Sequence, residues 1–303
     1  MKKNKLGTSN IEISALTLGC MTLGTDKEKA RDIIDFALDN GINHLDTADL
    51  YDFGLNEEIV GDAIRHKRDQ IILTTKVGNH FNKLNQDWFW DPSKEYILKA
   101  VKESLRRLKT DYIDFYMLHG GTIEDPIEET IEAFERLKQE GIIRAYGISS
   151  IRPNVIREFV NKSSIDGVMT QYSLLDRRPE EETLDLLYKN NISVLARGPL
   201  AKGMLSNVSR NQIEQKGKDG YLNYTYQELI TVQQELENIS SNVNELALKY
   251  VLHHRAVTSV VFGASSLQQV RENITLNTND LLKKDVYVKL KEITKENKYT
   301  QHR

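Results

Sequence analysis

Seven polar or ionisable residues stand at or just beyond the ends of short apolar runs: Asp46, Tyr51, Lys76, His119, Ser149, Gln171 and Arg197. Lys76 ends Ile71-Ile72-Leu73-Thr74-Thr75, and His119 ends Ile113-Asp114-Phe115-Tyr116-Met117-Leu118. A lysine or histidine that closes an apolar strand is costly if it turns inward without partners. Taken singly, each reads as readily as a solvated rim residue; taken together at strand ends, they favour a shared site. Their types suit proton-coupled reduction of a carbonyl. A tyrosine hydroxyl, which ionises at about pH 10 when free, is a poor proton donor near neutrality until its phenolate is stabilised. A Lys76 ammonium beside Tyr51 would supply that stabilisation, and Asp46 would keep the lysine charged and oriented. His119 would hydrogen-bond the carbonyl oxygen, polarising it and fixing the approach of the substrate. The set holds an acid and its tuners but no hydride source, so the chemistry requires a cofactor.

These residues must be positioned by regular elements, and the chain alternates short β-rich runs with longer amphipathic stretches. The runs Ala15–Gly19, His44–Asp46, Ile71–Lys76, Ile113–His119, Ala145–Ser149, Gly167–Gln171, Ser193–Arg197 and Ser259–Gly263 are eight strand candidates. Helical patterns lie between them at Lys27–Asn40, Asn56–Arg65, Ser93–Leu108, Pro126–Glu140, Pro153–Asn161, Pro179–Asn190 and Val243–His254. In Ser93–Leu108 the apolar residues Ile97, Ala100, Val101, Leu105 and Leu108 recur at helical spacing, and Ser93 can cap the first turn. Pro126, Pro153 and Pro179 fall where a first helical turn tolerates a missing N–H. Continuously apolar runs such as Ile71-Ile72-Leu73 suit parallel strands covered on both faces. Eight β-then-α units without a composition break predict a closed (β/α)8 TIM barrel, an α/β fold, with residues 1–303 as one domain. The segment from Lys5 to Ile13 reads as a hairpin with a polar turn that plugs the barrel bottom. Residues 200–242 are too long for a simple loop and predict extra helix plus a mobile segment around Gly217–Gly220. The tail from Lys283 is charged and helical in pattern to about Lys298, adding C-terminal helix.

Composition narrows the function classes. The 303 residues are 39% hydrophobic with 17 Gly and 5 Pro, which excludes extensive disorder and collagen-like repeats. Lys+Arg at 41 against Asp+Glu at 44 gives a net charge of −3, with no basic bias toward nucleic acid. Cys20 is the single cysteine, so no internal disulfide forms, as expected in a reducing compartment. No run of eighteen apolar residues predicts a membrane span, and no apolar signal segment follows Lys2, Lys3 and Lys5. The expectation is a cytoplasmic protein. His253, His254 and His302 show no metal-ligand spacing with another set, and no metal is predicted.

The stretch Gly41-Ile42-Asn43-His44-Leu45-Asp46-Thr47-Ala48-Asp49-Leu50-Tyr51 resembles the signature of the aldo-keto reductase family. The family's further motifs follow in order: Lys76; Asp111-Tyr112-Ile113-Asp114 leading to Leu118-His119; Gly147-Ile148-Ser149-Ser150; Gln171-Tyr172-Ser173; Arg197-Gly198-Pro199-Leu200-Ala201-Lys202-Gly203; and Phe262-Gly263-Ala264-Ser265 through Gln269 to Glu272-Asn273. The match runs from about residue 4 to 280. The resemblance implies that Asp46, Tyr51, Lys76 and His119 are the family's catalytic tetrad. Tyr51 would be the general acid in reduction and the base in oxidation. His119 favours aldehyde and ketone chemistry, because members that reduce a carbon–carbon double bond lack it. Asp49 and Glu57 belong to the same signature and are expected to serve local hydrogen bonding and helix N-terminal charge.

The resemblance also implies a nicotinamide cofactor, with a small-molecule carbonyl as substrate partner. Ser149 and Gln171 match the positions that hydrogen-bond the carboxamide, and Gly19, Met21 and Asp46 stand beside the same cofactor. The seventh-strand position, where many relatives place an aromatic ring, is Arg197, which can lie flat on the cofactor or reach its pyrophosphate. Pro199, Leu200 and Gly203 resemble the segment lining the pyrophosphate. The adenosine end is Gly263, Ser265, Gln269, Glu272 and Asn273, where a loop runs into a helix N-terminus that suits a phosphate. Relatives that prefer NADPH often carry a basic residue in this loop. Here only hydroxyls, amides and Arg271 stand there, so NADPH is expected with NADH also possible. Met21, Phe53, Trp88, Trp90 and His119 are expected at the substrate pocket, although Trp88-Phe89-Trp90 reads equally as a loop packing on itself. Two other functions compete: a Schiff-base aldolase using Lys76 as nucleophile, and a nicotinamide-binding interaction protein with slow turnover. The intact Tyr51 and the loop after Gly263 speak against the aldolase, and no partner-binding extension supports the interaction protein.

Overall fold

The computed structural model describes residues 1–278, 280 and 282–303. Eight parallel strands close a barrel in simple chain order: Leu16–Gly19, His44–Asp46, Ile72–Val77, Ile113–Leu118, Ile143–Ser149, Gly167–Gln171, Ser193–Arg197 and Val257–Gly263. The last strand pairs with the first, Gly263 opposite Gly19, which completes the ring. Helices Lys27–Asp39, Leu55–Ile64, Lys94–Leu108, Ile127–Gln139, Pro153–Lys162, Thr183–Lys189, Val243–His253 and Leu267–Ile274 return each strand to the next or close the last unit. Caps written in the sequence set several boundaries. Asp26 accepts from the N–H groups of Glu28 and Lys29, and Ser93 accepts from that of Tyr96.

Strand side chains alternate, so every second residue faces the barrel axis. Phe115, Met117, Ala145, Met169, Leu195 and Val261 fill the lower interior together with Leu6, Ile11 and Ile13 of the N-terminal hairpin. That hairpin pairs Lys3–Lys5 with Glu12–Ser14 and plugs the bottom, as expected. Gly147 and Gly167 make room for the Phe115 ring: a Cβ on either would lie 2.7 or 3.1 Å from its Cζ. Level with this layer, on the first, second, third and eighth strands, lies a buried polar belt. The His44 ring bridges Thr17 Oγ1 at 2.7 Å and Thr74 Oγ1 at 2.6 Å, and Thr17 Oγ1 lies 2.6 Å from Ser259 Oγ. One step further up each strand, the same inward phase brings Asp46, Lys76 and His119 to the C-terminal mouth. Outward residues such as Leu45, Leu73, Leu118 and Ile148 join the larger core beneath the helices.

Three expectations change, and the extra helix expected after residue 200 is present. Residues 79–90 are a second hairpin, not a plain loop, pairing Asn79–Asn82 with Asp87–Trp90, because its aromatic residues find cross-strand partners. Pro179–Asn190 is broken into a 3-10 turn at Arg178–Glu180 and a helix from Thr183. Residues 200–242 contribute two helices, Ser209–Lys216 and Tyr226–Ile239. The Gly217–Gly220 stretch between them is a turn in which Gly217 is packed, a Cβ on it lying 2.9 Å from Leu229, while Lys218 and Asp219 are exposed. The C-terminal helix Lys284–Ile293 stops before Lys298, since Thr294, Asn297 and Tyr299 are buried against other loops. Among the described residues no helix is long and apolar enough to cross a membrane.

Candidate active site

The second strand ends at Asp46, but its chain continues beside the third strand, Thr47 N–H donating to Thr74 O and Asp49 N–H to Lys76 O. A tight turn follows in which Asp52, Phe53 and Gly54 all have positive φ, at 48°, 51° and 88°. An aromatic residue in this region is strained, a cost tolerated where the surroundings over-determine the backbone. The turn brings the Tyr51 hydroxyl over Lys76.

Lys76 is fully buried, and its ammonium is saturated with acceptors. It lies 2.8 and 2.9 Å from the two Asp46 carboxylate oxygens, 2.8 Å from Thr47 O and 3.3 Å from Tyr51 Oη. Burial alone would disfavour the ammonium. Asp46 and the Tyr51 oxygen outweigh that and hold the lysine pKa above its ordinary value. The His119 ring meets Tyr51 edge-on, with centroids 5.7 Å apart. Burial, reinforced by the Lys76 and Arg197 cations, pushes the His119 imidazole down to about 3, so it is neutral near pH 7. Its Nδ1 is buried and finds no partner among the described residues. The structure therefore gathers Asp46, Tyr51, Lys76 and His119 at one point of the barrel mouth, with a phenol hydroxyl, a fixed positive charge and a neutral imidazole.

Around the mouth, Arg197 Nη1 donates to Gln171 Oε1 at 3.2 Å, and Ser149 ends the fifth strand almost fully buried. Gly19 and Gly263 leave the first and eighth strand ends bare, and a Cβ on Gly263 would lie 3.0 Å from Thr22 Oγ1. Pro199, Leu200 and Gly203 form a turn closed by Gly203 N–H donating to Leu200 O. Beyond Gly263, Ser265 donates through both N–H and Oγ to Gln269 Oε1, and Ser266 caps the helix Leu267–Ile274. Asn273 is buried, its oxygen accepting from Asn244 and its amide donating to Gln269 O, while Glu272 accepts from Gln268. Arg271 stacks on Phe36 instead of turning toward this loop, its guanidinium 5.1 Å from the ring centroid.

Of the residues expected at the substrate pocket, Met21 is 60% and Trp88 54% exposed at the mouth. Trp90 is used differently. Its ring packs where a Cβ on Gly78 would be and its Nε1 donates to Asp125, so the cluster is split between rim and scaffold. Phe81, opposite Trp88 in the hairpin, reaches Phe53 with centroids 6.1 Å apart, an aromatic neighbour that sequence reading missed. Glu57 does more than charge a helix N-terminus. It is fully buried, accepts from Thr75 Oγ1 at 2.6 Å and pairs with Arg107 Nε at 2.6 Å. Asp49 is equally buried, and burial followed by the nearby Glu57 raises its carboxyl well above the usual range. Arg107 and Thr47 O also escaped notice, since neither carries a motif; only a charged residue on an otherwise apolar helix stripe hinted at the first.

The Aldo/keto reductase family model matches residues 15–295. The uncharacterized oxidoreductase YqkF of Bacillus subtilis (strain 168) is 55% identical, with 100% of both chains covered. The NADH-specific methylglyoxal reductase of Escherichia coli (strain K12) is 33% identical over 92% of this chain and 94% of that protein. Among solved structures, the holo form of the aldo-keto reductase AKR11C1 from Bacillus halodurans superposes with a TM-score of 0.95 at 53% identity, covering 100% of this chain and 99% of that one.

Proposed function

The chain belongs to the aldo/keto reductase family and is an oxidoreductase, and on that footing we propose that it reduces aldehydes and ketones to alcohols with Tyr51 as proton donor. The observation that carries this reading is the Lys76 ammonium, 3.3 Å from the Tyr51 hydroxyl and clamped by Asp46. When bound, a nicotinamide supplies the hydride. The residues around it do the rest. Neutral His119 donates a hydrogen bond to the carbonyl oxygen and orients it toward Tyr51. Tyr51 passes its proton to that oxygen as negative charge builds there. Lys76 lowers the cost of the phenolate left behind, and Asp46 keeps the lysine from drifting or losing its charge. In alcohol oxidation the same groups run backward, Tyr51 accepting the proton.

The residues at the mouth fit the cofactor. Bare Gly19 and Gly263 leave space at adjacent strand ends, and Ser149, Gln171 and Arg197 offer a hydroxyl, an amide and a planar cation beside it. Pro199, Leu200 and Gly203 would line the pyrophosphate, and Gly263, Ser265, Gln269, Glu272 and Asn273 the adenosine. The Schiff-base alternative is disfavoured by a lysine that is kept protonated by three acceptor groups, since a nucleophilic amine must be neutral. A panel following NADPH and NADH consumption against simple aldehydes, ketones and sugar-like polyols tests the proposal. Turnover of aldehydes with either cofactor is expected; its absence with both overturns it.

A further inference from the structure

Resting on the nicotinamide-dependent reading, we infer that the loop carrying Asp176 and the turn at Tyr221–Tyr224, tied together by the C-terminal tail, fix which way the Gln171 amide faces the cofactor carboxamide. A side-chain amide has one acceptor oxygen and two N–H donors, and a 180° flip exchanges them. Gln171 Nε2 donates to Asp176 Oδ2 at 2.8 Å and to Tyr221 Oη at 3.2 Å. Asp176 is itself buried and held by both nitrogens of the Arg178 fork at 2.7 Å. Flipping the amide would press its oxygen against that carboxylate. The oxygen therefore stays on the other side, where Arg197 donates to it, and presents an acceptor to the mouth. An acceptor there matches the N–H of a carboxamide.

Both anchors of this amide sit on segments that one tail residue joins. Tyr221 and Tyr224 exchange backbone hydrogen bonds at 3.0 and 2.9 Å, which makes the turn rigid. The Lys295 N–H donates to Tyr224 Oη at 2.6 Å. Asn297 donates to Asn223 Oδ1 at 3.2 Å and to Leu175 O at 2.9 Å, and accepts from Arg177 N–H at 2.7 Å. Asn297 thus ties the Tyr221 turn to the loop carrying Asp176. Tyr221 and Asn297 are positioning residues, acting through Gln171.

The test is a fluorescence titration of NADPH and of its 3-acetylpyridine analogue, in which a methyl ketone replaces the carboxamide and the N–H donor is lost. Wild type should bind NADPH more tightly than the analogue. Tyr221→Phe should raise the NADPH Kd by about threefold to tenfold, the worth of one hydrogen bond, and the analogue's far less. Asn297→Ala should narrow the discrimination in the same way, and the double variant should lose less than the product of the two. If Asn297→Ala does not fold, Tyr224→Phe, which removes the acceptor for the Lys295 N–H, takes its place. Equal weakening of both ligands, or multiplicative effects, overturns the inference. Wild type that binds neither NADPH nor NADH overturns the nicotinamide reading, and this inference with it.

Discussion

Arg107 occupies the space that any side chain at position 54 would need: a Cβ on Gly54 would lie 2.9 Å from its Cδ and 3.1 Å from its Nε. The same guanidinium pairs with Glu57, donates to Ser104 Oγ at 3.2 Å and lies 5.6 Å over the Phe81 ring. One side chain of the helix Lys94–Leu108 thus supports both the strained turn that carries Tyr51 and the hairpin that faces Phe53. The placement of Tyr51, the proposed proton donor, rests on an ion pair that does not touch it.

Replacing Arg107 by Met should therefore be severe. It leaves Glu57 buried without its cation, a change that costs about 3–5 kcal/mol when one partner of a buried pair is removed. Urea unfolding at pH 7 measures it. A loss below about 1 kcal/mol would mean that Glu57 finds another partner or takes up a proton at little cost.

Tyr51→Phe should abolish aldehyde reduction while leaving the dissociation constants for NADPH and NADH nearly unchanged. The hydroxyl is the proposed donor, and its only hydrogen bond among the described residues is from Lys76. Stopped assays of turnover beside cofactor titration separate the two effects. Turnover near that of wild type would remove Tyr51 from the role of acid.

Lys76→Met should reduce turnover by orders of magnitude and, in whatever activity survives, move the basic limb of the pH–rate profile upward. Without the ammonium, a phenol gives up its proton less readily. An unmoved profile would assign Lys76 to the scaffold alone.

Acid sensitivity follows from two histidines. Burial first, and the Lys76 charge second, push both His44 and His119 from 6.5 down to about 3. The unfolded chain takes up their protons near pH 6.5, whereas the folded chain refuses them until about pH 3. Through these two groups the unfolded chain binds more protons across that window, so their contribution to stability falls as pH drops through 6.5, whereas the raised Asp49 carboxyl acts in the opposite sense. From pH 7 to 5, before most carboxylates titrate, the pair accounts for a loss on the order of 4 kcal/mol. His119→Gln should remove about half of that amount, about 2 kcal/mol, from the difference between the stabilities at pH 7 and pH 5 measured by urea unfolding. A His119→Gln variant with the same pH dependence as wild type would show that the folded chain accepts the His119 proton.

The parts of this architecture governed by local rules are legible in the chain. Period-two alternation puts Asp46, Lys76 and His119 in one inward phase, and Asp26 and Ser93 announce their helices. What escapes reading depends on partners far away in sequence. Arg107 stands out in the sequence only as a charge on an apolar helix stripe, and its pairing with Glu57, fifty positions earlier, is not announced at all. Trp88 and Trp90 look alike and share one face of the hairpin, yet Trp90 at its base meets Gly78 and Asp125 whereas Trp88, a step nearer the tip, is exposed. The tail beyond Ile293 keeps a helical charge pattern, but Asn297 finds stronger use bridging Leu175, Arg177 and Asn223 than a further helical turn would give it.

On the proposed reading, cofactor preference would be set at the loop after Gly263, where charge is scarce. Ser265 and Gln269 are tied to each other, and Arg271, the one cation near the loop in sequence, is committed to Phe36 on a neighbouring helix. A 2′-phosphate would meet hydroxyl and amide donors and the N-terminus of the helix Leu267–Ile274, but no guanidinium. We expect NADPH to bind more tightly than NADH by a narrow margin. A charge-assisted hydrogen bond contributes roughly 1.5–3 kcal/mol, and each 1.4 kcal/mol is about tenfold in affinity. Ser265→Arg should therefore widen the preference by about tenfold or more, chiefly by lowering the NADPH dissociation constant. Because Ser265 also donates to Gln269 through its hydroxyl, Ser265→Ala separates loss of that contact from gain of the cation. Fluorescence titration of both cofactors across the three proteins decides the matter. A wild type that already prefers NADH, or an arginine that leaves the ratio unchanged, means the 2′-position lies away from this loop.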